Sequence, residues 1–92
     1  MGKFQTGNLY QTRGIAAATE ERPQLFNEII NAYARYIKGD WGDLCEEDKE
    51  VNEEALKYGD RLLGKYKTSV DDIYIITEAD RSATTILFYY EY

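Results

Sequence analysis

The strongest constraint on this chain is a change in the spacing of its apolar residues at Gly59. Before Gly59, apolar residues recur every three or four positions, which is typical of amphipathic helices. After it, they alternate or run together in three short segments, 61–67, 72–78 and 83–92, which is typical of strands. The connections "TSVDD" and "ADRS" are short enough for hairpins, so antiparallel pairing is expected. The sequence therefore predicts an α+β fold, in which two or three N-terminal helices pack on a three-stranded antiparallel meander.

The clearest helix prediction covers residues 24–38. Its apolar side chains form a broad stripe: Leu25, Phe26, Ile29, Ile30, Tyr33, Tyr36 and Ile37. Pro23 suits the first turn, and Gly39 is typical of the residue that follows a helix. A short helix is predicted over 12–19 with Thr12 as its N-cap, and residues 1–11 are expected to be irregular or a short edge strand.

A second long helix is predicted over residues 46–58, with Cys45 or Asp43 as its N-cap. At about 100° per residue, three apolar side chains fall on one side of it: Val51, Ala55 and Tyr58. The glutamates fall largely on the other side, beside Lys57, and form an expected acidic ridge: Glu46, Glu50, Glu53 and Glu54. We expect the apolar side to face the core and the ridge to face solvent.

Length and composition indicate one folded domain over residues 1–92. The chain is 43% hydrophobic and 30% charged, unlike a disordered chain, and has no apolar run long enough to cross a membrane. The N-terminus lacks the apolar region of a signal peptide, and the single Cys45 suits a reducing compartment. We therefore expect a cytoplasmic protein. Gly2 and Thr6 match the loose pattern for N-myristoylation, although an ordinary start is expected.

The negative charge of the chain is concentrated in one segment. Residues 40–54 contain eight acidic residues and one base, Lys49, for a net charge of −7, whereas the other 77 residues sum to +1. Direct nucleic-acid binding needs clustered Lys and Arg, so it is not expected. The predicted partner is instead a protein with a basic surface, and no membrane partner is expected.

Residues that usually carry catalysis are scarce. The chain has no histidine, and the acidic neighbours of Cys45 disfavour a reactive thiolate. No glycine-rich phosphate loop is present. We therefore expect a protein that is not an enzyme and that has no cofactor or metal. The alternative is a small metal-dependent enzyme or nuclease accessory, with a cation held by four carboxylates: Asp40, Asp43, Glu78 and Asp80.

Two further features bear on a contact surface. Trp41 lies in the acidic turn "GDWGD" and would either pack inward or anchor a partner. The polar loop around Asp80 and Arg81 would be either a simple turn or a contact loop. The predicted partner-binding residues are Asp40, Trp41, Asp43, Glu46, Glu50, Glu53, Glu54, Asp80 and Arg81. A third hypothesis is a self-associating structural protein, such as a homodimer, joined through the tyrosine-rich last strand.

Residues 39–92 contain a long pattern that resembles a known family. Its matching positions are Gly39-Asp40-Trp41-Gly42, Asp48, Asn52, Ala55-Leu56, Gly59, Arg61, Ile76-Thr77-Glu78-Ala79-Asp80-Arg81-Ser82, Thr84-Thr85-Ile86-Leu87 and Glu91-Tyr92. The family consists of small bacterial proteins carried by plasmids, integrated conjugative elements and prophages. They are labelled hypothetical or plasmid-related, and sometimes as type I restriction enzyme subunits. Residues 1–38 form a variable helical part that matches poorly.

The departures from the family pattern lie mainly before residue 39. Arg13 stands where the family tends to have proline, a family histidine before "GDWG" is missing, and Tyr89-Tyr90 replaces a proline-containing end. The resemblance implies a setting in mobile bacterial DNA, where small acidic proteins block restriction or CRISPR machinery by occupying DNA-binding surfaces. Our leading hypothesis is therefore a non-enzymatic anti-restriction or anti-CRISPR type inhibitor, with the acids as phosphate mimics and Trp41 as an anchor.

Overall fold

The computed structural model describes residues 3–92 and places three helices against one four-stranded sheet. The α+β prediction is therefore confirmed. Gly2, which carries the acylation pattern, lies outside the described residues. The elements are β1 (Asn8–Gln11), α1 (Arg13–Glu21), α2 (Gln24–Ile37), α3 (Glu46–Tyr58), β2 (Leu62–Tyr66), β3 (Ile73–Thr77), β4 (Ala83–Phe88) and a 3₁₀ turn (Tyr89–Glu91). None of the helices in this part of the chain is long and apolar enough to cross a membrane.

The strands run in the order β1-β4-β3-β2. The three C-terminal strands form the predicted antiparallel meander, with Leu62 opposite Thr77 and Ile73 opposite Phe88. β1 adds a fourth strand parallel to β4, with Leu9 opposite Thr84, so the sheet is mixed. The prediction of antiparallel pairing alone is corrected in this respect. Three helices and two strands separate β1 from β4 in the chain, and a connection of this length allows the two strands to run in the same direction.

The last strand ends earlier than predicted. β4 stops at Phe88, because the Tyr89 N–H donates to the Asp72 carbonyl and the chain then turns. The Glu91 carboxylate accepts hydrogen bonds from the Phe88 N–H at 2.8 Å and from the Thr12 hydroxyl at 2.7 Å. The 83–92 segment is therefore a strand followed by a turn that is fastened to the start of α1. β4 is also an inner strand, between β1 and β3.

The predicted α2 stripe is only partly buried. Leu25, Ile29, Ala32 and Tyr36 enter the core, whereas Phe26 and Ile30 remain exposed; the helix therefore has more apolar surface than the sheet covers. The Tyr36 hydroxyl lies 2.6 Å from that of Thr77, and burial raises the pKa of the Tyr36 phenol. Ahead of α2, Thr12 caps α1 as predicted, accepting a hydrogen bond from the Ile15 N–H at 3.3 Å.

The bounds of α3 match the prediction, but its orientation does not. Asn52 and Ala55 are its buried residues, whereas Val51 is 61% exposed and Tyr58 is 75% exposed. The predicted inward side is therefore wrong at two of three positions. The physical reason is that α3 packs along the edge of β2, where a polar side chain can bind the strand backbone, so a narrow contact replaces a wide apolar stripe.

Candidate acidic interaction surface

The turn before α3 is fixed to the edge of β2. The Lys65 N–H donates to the Trp41 carbonyl at 3.2 Å, and the Asp43 N–H donates to the Lys65 carbonyl at 2.7 Å. Gly42 has a φ of +76°, and a β-carbon there would lie 1.9 Å from the Lys65 carbonyl oxygen. Only glycine fits this close approach in this conformation. The "GDWGD" segment is therefore a docked turn rather than a loose connection.

Asp40 is used inside this turn. Its carboxylate accepts hydrogen bonds from Arg35 Nε at 2.8 Å, from Arg35 Nη2 at 3.3 Å and from the Gly42 N–H at 3.1 Å. The Arg35 hydrogen bond holds the pKa of the Asp40 carboxyl below its usual value. Since its charge is neutralised locally, Asp40 contributes little to a negative surface.

We expect Arg35→Gln to raise the pKa of the Asp40 carboxyl toward its ordinary value, because a bidentate charged donor is lost. A carboxyl whose pKa is lowered by folding stabilises the fold only at pH values above its pKa in the unfolded chain. At neutral pH the wild type should therefore be more stable than Arg35→Gln. The difference should be at most about 1 kcal/mol, because both side chains are half exposed. The difference should vanish as pH falls through the Asp40 pKa. NMR titration and urea unfolding at two pH values measure both effects. Arg35→Lys, which keeps the charge, should give a smaller pKa change; an unchanged Asp40 pKa in Arg35→Gln contradicts the assignment.

Trp41 is a core residue and not an exposed anchor. It is 3% exposed and packs on the rings of Phe4 at 6.0 Å and Tyr36 at 5.7 Å between centroids. Its Nε1–H donates to the Glu53 carboxylate at 2.7 Å. The anchor role predicted for Trp41 is therefore corrected to a packing role. Glu53 is turned toward Trp41 for the same reason and is not equivalent to the other glutamates of the predicted ridge.

α3 is held to the sheet by a side chain that the sequence reasoning gave no role. The Asn52 amide donates to the Leu63 carbonyl at 2.7 Å, and its oxygen accepts from the Leu63 N–H at 3.1 Å. These two hydrogen bonds replace those that a neighbouring strand would form, so the N–H and C=O of Leu63 at the outer edge of β2 both have partners. Asparagine has a lower helix propensity than the residues around it in α3. Its presence in the middle of the helix is the sequence feature that could have indicated a hydrogen-bonding role.

The remaining acids of the segment are exposed and together define the acidic surface: Asp43, Glu46, Glu47, Asp48, Glu50 and Glu54. Within residues 3–92, the only ion pair to this set joins Lys49 Nζ to Glu46 at 3.7 Å. Glu46, Glu47 and Asp48 occupy the first turn of α3, where negative charge also stabilises the helix dipole. Cys45 is the N-cap residue, without a side-chain cap bond. The acids are therefore concentrated on α3 and on the turn before it.

The loop at Asp80 and Arg81 lies at the other end of α3. The Arg81 guanidinium donates to the carbonyls of Asp60 at 2.7 Å and Ala55 at 3.2 Å, where the helix ends. Asp80 accepts from the Ser82 N–H at 2.9 Å, and hydrogen bonding by the side chain and backbone of Ser82 lowers the pKa of the Asp80 carboxyl. Both residues therefore have structural roles in the hairpin and at the C-terminus of α3, away from the patch of acids.

The four carboxylates of the metal-binding alternative are not assembled. No group of three or more His, Cys, Asp or Glu side chains in residues 3–92 has the geometry to hold a metal ion. Asp40 is bound by Arg35 and Asp80 by the Ser82 backbone, at separate places in the fold.

Comparisons with known proteins add no family to this geometry. No family model, no curated protein and no solved structure matches the chain. The acidic surface therefore has to be interpreted from its own residues.

Proposed function

We propose that this protein is a non-enzymatic binding protein that presents the acidic surface to a basic, nucleic-acid-binding site on a host protein in the cytoplasm. The observation that carries the proposal is the exposure of six carboxylates that have a single ion-pair partner within residues 3–92. Structural acids are usually paired, capped or dispersed, as Asp40 and Asp80 are here. Six acids left facing water on one helix and the turn before it are a surface for a cationic partner.

The linear charge density along α3 supports the proposal that the acidic surface imitates nucleic acid. Residues 46–54 span about 12 Å of helix axis. Apart from Glu53, which is bound by Trp41, they hold five exposed acids and Lys49, so the patch has roughly one net negative charge per 3 Å. A single DNA strand carries one per ~3.4 Å, and the duplex one per ~1.7 Å. A site that recognises a phosphate backbone would therefore meet a comparable linear charge density.

Rigidity of the patch supports the same proposal. α3 is fixed at its inner side by Asn52 on β2 and at its C-terminal end by Arg81. A preorganised set of charges loses less conformational entropy when it binds. The resemblance of residues 39–92 to small proteins of mobile elements further suggests that the partner is a restriction or CRISPR enzyme.

The test is the removal of charge from the exposed acids only. The variant Glu46→Gln, Glu47→Gln, Glu50→Gln and Glu54→Gln keeps side-chain size and leaves the Trp41–Glu53 bond intact. The protein is immobilised and used to capture host lysate proteins at low salt, and the captured proteins are then eluted with double-stranded DNA. We expect the DNA-eluted fraction to fall about tenfold or more in the variant, because several exposed ion pairs are lost together.

The control variant changes net charge equally at other exposed acids: Glu20→Gln, Glu21→Gln, Asp71→Asn and Glu78→Gln. It should retain capture, and capture by the wild type should weaken steeply as salt is raised. Equal losses in both variants, or a captured fraction that is indifferent to salt and DNA, would refute the proposal.

A further inference from the structure

An apolar groove lies between β1 and the outer side of α2. Its volume is about 420 Å³, and none of its eight lining residues is an acid, a lysine or an arginine. Four of its side chains remain about half exposed: Leu9, Tyr10, Phe26 and Ile30. A contiguous apolar surface of this kind marks an interaction site more often than it marks ordinary monomer surface.

The strand beside the groove has an open edge. The N–H groups of Asn8 and Thr12 point toward β4 and donate there. Because hydrogen-bonding groups alternate along a strand, the N–H and C=O groups of Leu9 and Gln11 point away from the sheet. β1 is the outermost strand, so no strand in the described chain pairs with them. The groove therefore has unused backbone donors and acceptors next to its apolar wall.

The groove beside β1 is lined by uncharged residues, whereas the acidic surface lies on α3, at the other edge of the sheet. β1 forms one edge of the sheet and β2, which α3 contacts, forms the other. Between Asn27 and Ala34 the only charged residue of α2 is Glu28, whose carboxylate binds Ser69 in the β2–β3 connection. Two copies that met at β1 would therefore bring neutral surfaces together and keep their acidic surfaces apart. Low charge at the centre is typical of homodimer interfaces.

We propose that this groove is a homodimer surface, in which two copies pair their β1 strands antiparallel about a two-fold axis at Tyr10. In this register Leu9 faces Gln11 of the second copy, and the outward backbone groups of both form hydrogen-bonded pairs. The two α2 helices then lie on either side of the axis, where Phe26 and Ile30 cover each other's grooves. The dimer has one continuous sheet and an acidic surface at each end.

The surface available fits a second copy. A buried aromatic side chain covers roughly 150–250 Å², so the half-exposed Tyr10 and Phe26 each have on the order of 100 Å² left to bury. Leu9, Ile30 and the uncharged side chains beside them on α2 bring the area toward the ~800 Å² per partner of a specific interface. A single extended peptide would pair with β1 but leave much of α2 uncovered, whereas a second copy covers both.

Sedimentation of the full chain over the micromolar range tests the proposal. We expect a monomer–dimer equilibrium that is insensitive to salt, because the interface is neutral. Ile30→Lys should weaken dimerisation about tenfold or more, since it places a charge at the centre of the interface. Gln11→Pro removes an N–H that points away from β4 and should also weaken the dimer. Slow hydrogen exchange at the Leu9 and Gln11 amides should disappear on dilution to monomer.

Val51→Lys is the matched control, because it makes the same substitution at an exposed apolar residue of α3. It should leave the dimer intact, and circular dichroism establishes that each variant is folded. A wild-type chain that stays monomeric overturns the proposal and leaves the groove to an extended segment of another protein. A dimer that Ile30→Lys leaves intact, or that Val51→Lys dissociates equally, overturns it as well.

Discussion

Trp41→Ala is expected to lower the free energy of unfolding by about 3–5 kcal/mol, the largest effect of any single substitution considered for this chain. The indole is 3% exposed and contacts the rings of Phe4 and Tyr36, so its removal leaves a cavity that these rings cannot fill without moving. A domain of this size has only about 5–15 kcal/mol in total. Urea unfolding followed by far-UV circular dichroism measures the change. Tryptophan fluorescence is unsuitable, because Trp41 is the only tryptophan and the variant lacks it.

Two milder variants separate the packing of Trp41 from its hydrogen bond. Trp41→Phe keeps a ring in the core but loses the donor to Glu53, and should cost less than the alanine variant. Glu53→Gln keeps an acceptor for Nε1–H, so we expect a change of about 1 kcal/mol or less. If Trp41→Ala were no more damaging than Glu53→Gln, the indole would not be a core residue, and the exposed anchor role would return.

Local features of the chain were sufficient to predict most of the elements. The α2 and α3 bounds follow from apolar spacing, from Gly39 and from Gly59, which are left-handed residues just after each helix. The antiparallel hairpins follow from short connections between apolar runs. Each of these patterns involves residues close together in the chain, so it can be recognised in the sequence without knowledge of tertiary contacts.

The features that escaped prediction depend on contacts between distant parts of the chain. A short edge strand was one of the two alternatives for residues 1–11, and β1 is that strand; its parallel pairing was not predicted, because it is set by β4, whose register with it begins with Asn8 opposite Ala83. The orientation of α3 is decided by Asn52 on Leu63 and Trp41 on Glu53, both polar contacts across the fold. Apolar spacing favoured Val51 and Tyr58 as inward residues, because a helical wheel cannot recognise a helix that packs on a strand edge.

The exposure of the acids in the candidate site was predicted from the sequence, but their side-chain partners were not. Glu46, Glu50 and Glu54 are exposed as the helical wheel indicated, because charged side chains are costly to bury. Glu53, Asp40 and Arg81 look equally available in the sequence, yet each is engaged by Trp41, Arg35 or a backbone carbonyl. Side-chain partners, rather than residue type, decide which acids are left for another protein.

Asn52→Leu is expected to lower the free energy of unfolding by about 2–4 kcal/mol, because both the N–H and the C=O of Leu63 lose their partner at the edge of β2. Leucine has the same side-chain branching as asparagine and favours helix more, so helix propensity does not account for the loss. Chemical denaturation measures it. Val51→Ala, one residue away and exposed, is the control and should change stability by about 0.5 kcal/mol or less.

The same variant tests whether binding by the acidic surface depends on a fixed arrangement of its acids or only on their net charge. Asn52→Leu leaves every acid in place but removes the polar attachment of α3 to β2. If the surface binds as a preorganised patch, capture of DNA-eluted host proteins should fall even though the net charge is unchanged, because the helix must be reordered on binding. Hydrogen exchange of the α3 amides should become faster in the same variant. Capture that is unaffected by a loosened α3 would mean that the charges act without a fixed arrangement, and the rigid imitation of a phosphate backbone would have to be abandoned.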